Sequence, residues 1–201
     1  MGVYEATLNE KRVGDFILAP GWTSYHKRLQ VQEYDITSSL KEENELTVLV
    51  GKGWYRSPMG WPDEEQQAAL GQIPAGLIAH IQLLYTDGSE SNIFSDTNWC
   101  VSESAVRFSE IYDGEIYDAS FCCSHAGAVQ AFAGPTDTLI PQQGEKIIEQ
   151  ERLAPASIFT TPKGERVIDF GQNLTGYIEI ALRAEAGQKV SLSFAEVLDK
   201  N

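Results

Sequence analysis

Acidic side chains crowd most closely at Tyr112-Asp113-Gly114-Glu115-Ile116-Tyr117-Asp118, which places three carboxylates within six residues. On an extended ladder Asp113 and Glu115 share one side, and several carboxylates together are the oxygen set that a calcium ion takes. Asp113, Glu115 and Asp118 are therefore candidate calcium ligands. The competing reading, which we favour, is a turn whose aspartates accept backbone N–H groups while the tyrosines pack. A second set is aromatic: Trp54, Tyr55 and Trp61 lie in the aperiodic stretch from Trp54 to Glu65, with Asp63 in the same loop. Exposed rings beside a side-chain oxygen suit a sugar, whose apolar face stacks while its hydroxyls hydrogen-bond. Half-buried sandwich aromatics would give the same composition, and that reading is preferred.

Other reactive groups carry less. His26, His80 and His125 are scattered, without an acidic or cysteine partner at motif spacing, so neither a metal site nor a triad is expected. Cys100, Cys122 and Cys123 are odd in number, and neighbours on a strand point to opposite faces, so free buried thiols are expected. Trp22 and Trp99 are expected in the core. Asp169-Phe170-Gly171-Gln172-Asn173 reads as a tight inter-strand turn. A glycosidase needs two carboxyl groups facing across a cleft, and among 29 acidic residues spacing alone selects no pair. No phosphate loop, GxSxG elbow or HExxH is present.

The elements that would position these groups are short strands. Val3 to Leu8 alternates with period two, Asn9 to Arg12 supplies a polar turn, and Val13 opens a second run ended by Ala19-Pro20-Gly21-Trp22. Leu29 to Tyr34 and Glu45 to Val50 follow, then the loop from Trp54 to Glu65. Ile78 to Tyr85 and Ser91 to Phe94 flank Thr86-Asp87-Gly88-Ser89, an Asp-Gly hairpin turn. Val101 to Phe108, Ala119 to Cys123, Arg166 to Phe170, Tyr177 to Leu182 and Lys189 to Phe194 read as further strands, and Pro155 to Pro162 as irregular. Strands at this spacing, with almost no helical period and no βαβ alternation, predict an all-β sandwich. The small-residue segment from His125 to Pro141 is the best boundary, which divides the chain into 1–136 and 137–201.

Fifteen basic against 29 acidic residues give a net charge of −14, which argues against nucleic acid and anionic membrane surfaces as partners. No apolar run approaches a membrane span, and the first 25 residues lack a leader pattern, so as written the chain reads as cytoplasmic.

The wording of several stretches resembles one family. GVYEATLN, VGD and LAPGWTSY within Gly2 to Tyr25, YDIT at Tyr34 to Thr37, and VGKGWYRS at Val50 to Ser57 are similar to the amino-terminal β-sandwich region of bacterial α-L-rhamnosidases of glycoside hydrolase family 78. VRFSEIYDGEIYDAS (Val106 to Ser120) and DFGQNLTGYIEIALRAEAGQKVSLSFAEVLD (Asp169 to Asp199) resemble two further signatures, in the family's order. The chain departs from the pattern at Ser120, where the family has arginine, and at Ser104-Ala105, where Gly-Pro is common. The resemblance implies a jelly-roll-like carbohydrate-binding type sandwich followed by the start of a concanavalin-like one. It also implies that acid and base reside in an (α/α)6 barrel that these residues do not include, so no rhamnosidase activity is expected from the chain alone. The expected role is a non-catalytic accessory part that scaffolds the missing catalytic domain and holds rhamnose-containing glycans. A stand-alone lectin-like protein and a purely structural β-domain are the alternatives. Some family members bind L-rhamnose through calcium in the equivalent sandwich, and projection by motif places the Asn9 turn and the loop from Ser57 to Glu65 nearest to that site. No cofactor is required. An unpaired edge and an incomplete second core predict self-association.

Overall fold

Val3–Leu8 (β1) is the centre of the largest sheet, lying between Lys11–Arg12 (β2) and Leu46–Gly51 (β4), with Leu29–Val31 (β3) elsewhere in the unit. The computed structural model describes residues 2–58, 64–73, 75–123, 126–134, 136–183, 185 and 188–198. All six residues of β1 pair antiparallel with β4, from Val3 opposite Gly51 to Leu8 opposite Leu46. The period-two pattern of β4 turns Leu46, Val48 and Val50 inward and leaves Thr47 and Leu49 exposed, as a half-buried strand requires. The hairpin from β1 to β2 is present with its turn at Asn9 (φ 55°) and Glu10 (φ 68°), the two positive dihedrals of a tight hairpin turn. Its second arm is short: after Val13, whose N–H donates to the Ala6 carbonyl at 2.8 Å, the chain leaves the sheet.

Gly53–Arg56 (α1) and Glu64–Gln72 (α2) replace part of the expected irregular loop. Gly53 can open α1 because its φ is +52° and a Cβ there would sit 2.6 Å from the Val3 nitrogen. α2 is built from glutamate, glutamine, alanine and leucine, good helix formers, with Glu64 and Glu65 in its first turn. Its weak amphipathic period explains why periodicity did not reveal it.

His80–Leu84 (β5) and Glu90–Phe94 (β6) form the Asp-Gly hairpin anticipated from sequence. The Asp87 carboxylate accepts the Ser89 N–H at 2.9 Å and its hydroxyl at 2.6 Å, and Gly88 takes a φ of 85°. Cys100–Val101 (β7) pairs with Gly127–Ala128 (β10), and Val106–Glu110 (β8) pairs with Gly114–Tyr117 (β9). Leu139–Pro141 (β11) runs parallel to β3, with Leu139 opposite Leu29. The chain thus meets the all-β expectation, as a three-stranded sheet and several two-stranded ones.

Two units divide it, Met1–Glu149 and Gln150–Asn201. Residues 137–149, which the sequence assigned to the second domain, pack with the first because long-range bonds tie them there. Gln142 N–H donates to the Val31 carbonyl at 2.9 Å, Gln143 N–H to Gln30 Oε1 at 2.8 Å, and Ile17 N–H to the Ile147 carbonyl at 2.7 Å. In the second unit Ser157–Thr160 (β12) pairs antiparallel with Arg166–Asp169 (β13) around Gly164.

Several local expectations change. β12 lies where 155–162 was read as irregular. Residues 177–182 and 189–194 are in no ladder, since strand coding without a partner strand makes no sheet. Residues 119–123 are not a strand: the Asp118 carboxylate accepts the Ser120 N–H and hydroxyl and turns the chain first. Trp22 is 65% exposed, following the turn in which Gly21 N–H bonds the Leu18 carbonyl. Cys100, Cys122 and Cys123 are exposed rather than buried, Cys100 on the two-residue β7.

The buried apolar residues among those described are Leu8, Phe16, Ala19 and Leu29, all in the first unit. Accessible surface totals 16438 Å², against ~11,000 Å² expected for two compact bodies of these lengths. Among the described residues no helix is long and apolar enough to cross a membrane.

Candidate functional site

The Asn9 turn faces the loop before β4. Asn9 Nδ2 donates to the Ser39 carbonyl and to Asn44 Oδ1, both at 2.9 Å, while Asn9 Oδ1 accepts the Glu45 N–H at 3.0 Å. Asn44 in turn closes its own loop, accepting the Lys41 N–H at 2.8 Å and donating to the Lys41 carbonyl at 2.8 Å. These bonds consume both amide hydrogens of Asn9 and leave it one acceptor lone pair. Around them opens a cleft of about 440 Å³ lined by Asn9, Glu10, Lys41, Glu43, Asn44 and Glu45. It is shallow and open, and all its lining side chains but Asn9 are exposed. The Lys41 ammonium can donate and the three carboxylates can accept, so hydroxyl-rich molecules match the lining. Asn9 acts there as a fold residue that holds the cleft's two walls together. Lys41, Glu43, Asn44 and Glu45 are distant from Asn9 in sequence, and only the fold brings them beside it.

The aromatic candidates are placed elsewhere. Trp54 and Tyr55 lie half-buried on α1, and Tyr55 meets Tyr25 edge-to-face with centroids 5.1 Å apart. Burial pushes the Tyr25 hydroxyl up to about 12. Neither Trp54 nor Tyr55 lines the cleft. Trp61 and Asp63 lie outside the described residues. Beneath α1, Glu110 is buried and pairs with Lys52 at 2.5 Å, and the Lys52 ammonium also sits 5.4 Å from the Phe108 ring. The pair, buried on its Glu110 side only, ties the end of β8 to the β4–α1 junction.

Asp113, Glu115 and Asp118 fall on or beside the β8–β9 hairpin and are not gathered: among the described residues no group of three or more His, Cys, Asp or Glu side chains comes together to hold a metal. Asp118 instead accepts the Ser120 hydroxyl at 2.6 Å and backbone N–H at 3.0 Å, which hold its carboxyl below the ordinary aspartate range. Asp113, Glu115 and Asp118 therefore do not converge as a ligand set.

A second concavity, of about 460 Å³, is lined by Val101, Glu103, Phe121, Cys122, Cys123 and Gly127, together with Ser102. Arg107 organises it: its guanidinium pairs with Glu103 at 2.8 Å and covers the Phe121 ring at 4.3 Å. The arginine that the family pattern places at 120 is absent, and Arg107 supplies a cation to this hairpin from β8.

Residues 1–151 match the family described as the α-L-rhamnosidase N-terminal domain, and residues 159–201 match the bacterial α-L-rhamnosidase concanavalin-like domain. An α-L-rhamnosidase of Streptomyces avermitilis is 35% identical over 99% of this chain and 20% of its own length, and one of Formosa agariphila is 32% identical over 100% of this chain and 22% of its own. The chain therefore spans about a fifth of the length of the curated relatives it matches. Among solved structures, native α-L-rhamnosidase from Aspergillus terreus superposes with a TM-score of 0.74 at 32% identity, over 86% of this chain and 21% of that one. The Streptomyces avermitilis enzyme complexed with L-rhamnose gives 0.70 at 31% identity, over 86% and 18%. Motif order, strand pairing and these matches agree, and the chain belongs to the α-L-rhamnosidase family, within which it corresponds to the amino-terminal β-region.

Proposed function

We propose that this chain is a non-catalytic accessory part of an α-L-rhamnosidase, which supports the catalytic part and holds rhamnose-containing glycans near it. The observation that carries the scaffold reading is the surface. An accessible area of 16438 Å² and many half-exposed large apolar side chains, such as Leu84, Phe94, Ile116 and Tyr117, leave faces that further polypeptide would cover. A chimera tests it: this chain replaces the corresponding amino-terminal region of the Streptomyces avermitilis enzyme. Soluble, active chimera supports the scaffold role, and a chimera no better than the enzyme lacking that region overturns it. The pure chain should release no rhamnose from an aryl rhamnoside, and measurable release would establish an autonomous hydrolase instead.

The polar cleft beside Asn9 supports the glycan part. Its carboxylates and Lys41 present acceptors and a donor to sugar hydroxyls, although no aromatic ring lines it. Calorimetric titration of L-rhamnose, with calcium and after chelation, reads binding and any metal dependence directly. Lys41→Ala and Glu10→Gln are the informative variants, because Asn9→Ala would also loosen the walls. Heat lost in both variants places the sugar in this cleft. Heat unchanged in both removes it from there, and no heat at all leaves the scaffold role alone.

A further inference from the structure

The consecutive cysteines Cys122 and Cys123 enter neither the scaffold nor the glycan reading. On a strand their side chains would point to opposite faces. The fold prevents that: the Asp118 carboxylate accepts the Ser120 N–H and hydroxyl, the chain turns, and residues 119–123 are in no ladder. Both cysteines are exposed, and both line one concavity, with Val101, Phe121 and Glu103. None of the three cysteines is in a disulfide. The Arg107 guanidinium, paired with Glu103 and 4.3 Å from the Phe121 ring, braces the wall beside them.

Covalent geometry selects what can join the two sulfurs. The Cys122–Cys123 peptide is trans, which sets the two Cα atoms ~3.8 Å apart, below the ~4.4 Å at which disulfides begin. A direct S–S bond is strained there, whereas a larger atom inserted between the sulfurs lets them stand apart. Soft centres prefer thiolate to oxygen ligands, and exposure gives them access. Among the described residues no group of three or more His, Cys, Asp or Glu side chains converges, so the centre must need only two ligands from the protein. We propose that Cys122 and Cys123 form a capture site for a thiophilic centre that bonds two sulfurs, of the class of trivalent organoarsenicals. With an arylarsine oxide each thiol forms one As–S bond, both thiol protons pass to the arsenic-bound oxygen, and that oxygen leaves as one water. Arsenic stays trivalent and no oxidant is consumed. Val101 and Phe121, the apolar members of the lining, offer contact to the aryl group.

Titration of the full 201-residue chain with phenylarsine oxide tests the site, the remaining thiols being counted with an aromatic disulfide reagent. One equivalent should mask two of the three thiols, and a dithiol should release them where a monothiol at equal sulfur concentration does not. Cys122→Ser and Cys123→Ser should each weaken capture at least ~100-fold, the advantage of making the second bond within one molecule. Cys100→Ser, on β7 and outside the lining, should leave capture within about twofold. Circular dichroism of the three variants should match that of the parent chain, since all three side chains are exposed. Three reactive thiols after one equivalent overturn the proposal. So does undiminished capture in Cys122→Ser or Cys123→Ser, or a loss in Cys100→Ser equal to theirs. Failure here leaves the scaffold and glycan readings standing, because each has its own assay.

Discussion

The two units differ in what their strands find. In the first, β1 meets β4 along its whole length, and residues up to 149 return to pair with β3 and with the segment around Ile17. In the second, among the described residues one hairpin of two four-residue strands forms and the two runs that follow are in no ladder. Their sequences are comparably strand-like, with the same period-two alternation and the same glycine punctuation. The difference is closure: in the first unit distant segments supply partners, and burial of Leu8, Phe16, Ala19 and Leu29 follows. Strand propensity is therefore a demand for neighbours rather than a source of order.

The sharpest way to break this contrast is a pair of truncations to alanine, read by urea denaturation. Leu8→Ala in the first unit should cost about 2–5 kcal/mol through lost burial and a residual cavity, whereas Leu192→Ala in the second should stay within ~0.5 kcal/mol in the monomer. Comparable losses would show that the second unit has a core of its own. Next in size is Lys52→Met, which strands the buried Glu110 carboxylate. Because the Lys52 side chain is 44% exposed and partly screened, the expected loss is about 1–3 kcal/mol, and Lys52→Arg should recover most of it. Gln32→Leu is smaller, about 1–2 kcal/mol. It removes the acceptor of the Tyr4 hydroxyl at 2.9 Å and the donor to Gln142 at 2.5 Å, and limited proteolysis after residue 136 should accelerate if those bonds hold the returning segment.

Titration gives the smallest effects, and the groups it concerns lie in the first unit. Burial raises the Tyr4 and Tyr25 hydroxyls above their ordinary 10.0, Tyr25 to about 12. A raised folded-state value means that this stability is complete below pH 10 and is lost as pH climbs through the folded value. The first unit should therefore lose stability progressively above about pH 10, followed by tyrosinate absorbance. At the acid end Asp35, Asp87 and Asp118 are lowered by hydroxyl and then backbone hydrogen bonds from Thr37, Ser89 and Ser120. Their contribution is present above 3.8, the ordinary value, and fades as pH falls toward the lowered one. All three are fully exposed, so only local turn protection should change, visible as faster amide exchange at Ser89 and Ser120.

What was legible in the sequence was local. Period-two alternation gave β1 and β4, Asp87-Gly88 gave its hairpin, Asn9-Glu10 gave a turn, and the motif order gave the family and the all-β class. Each of these signals is contained in a few consecutive residues, where steric limits on φ and ψ and side-chain alternation act directly. Tertiary structure decided the rest. It put Trp22 and the cysteines outside, carried the first unit on to Glu149, and spent the Asn9 amide on Ser39, Asn44 and Glu45 while opening a polar cleft beside it. Burial and hydrogen-bond satisfaction depend on which remote segment arrives as a neighbour, and no stretch of a chain carries that information by itself.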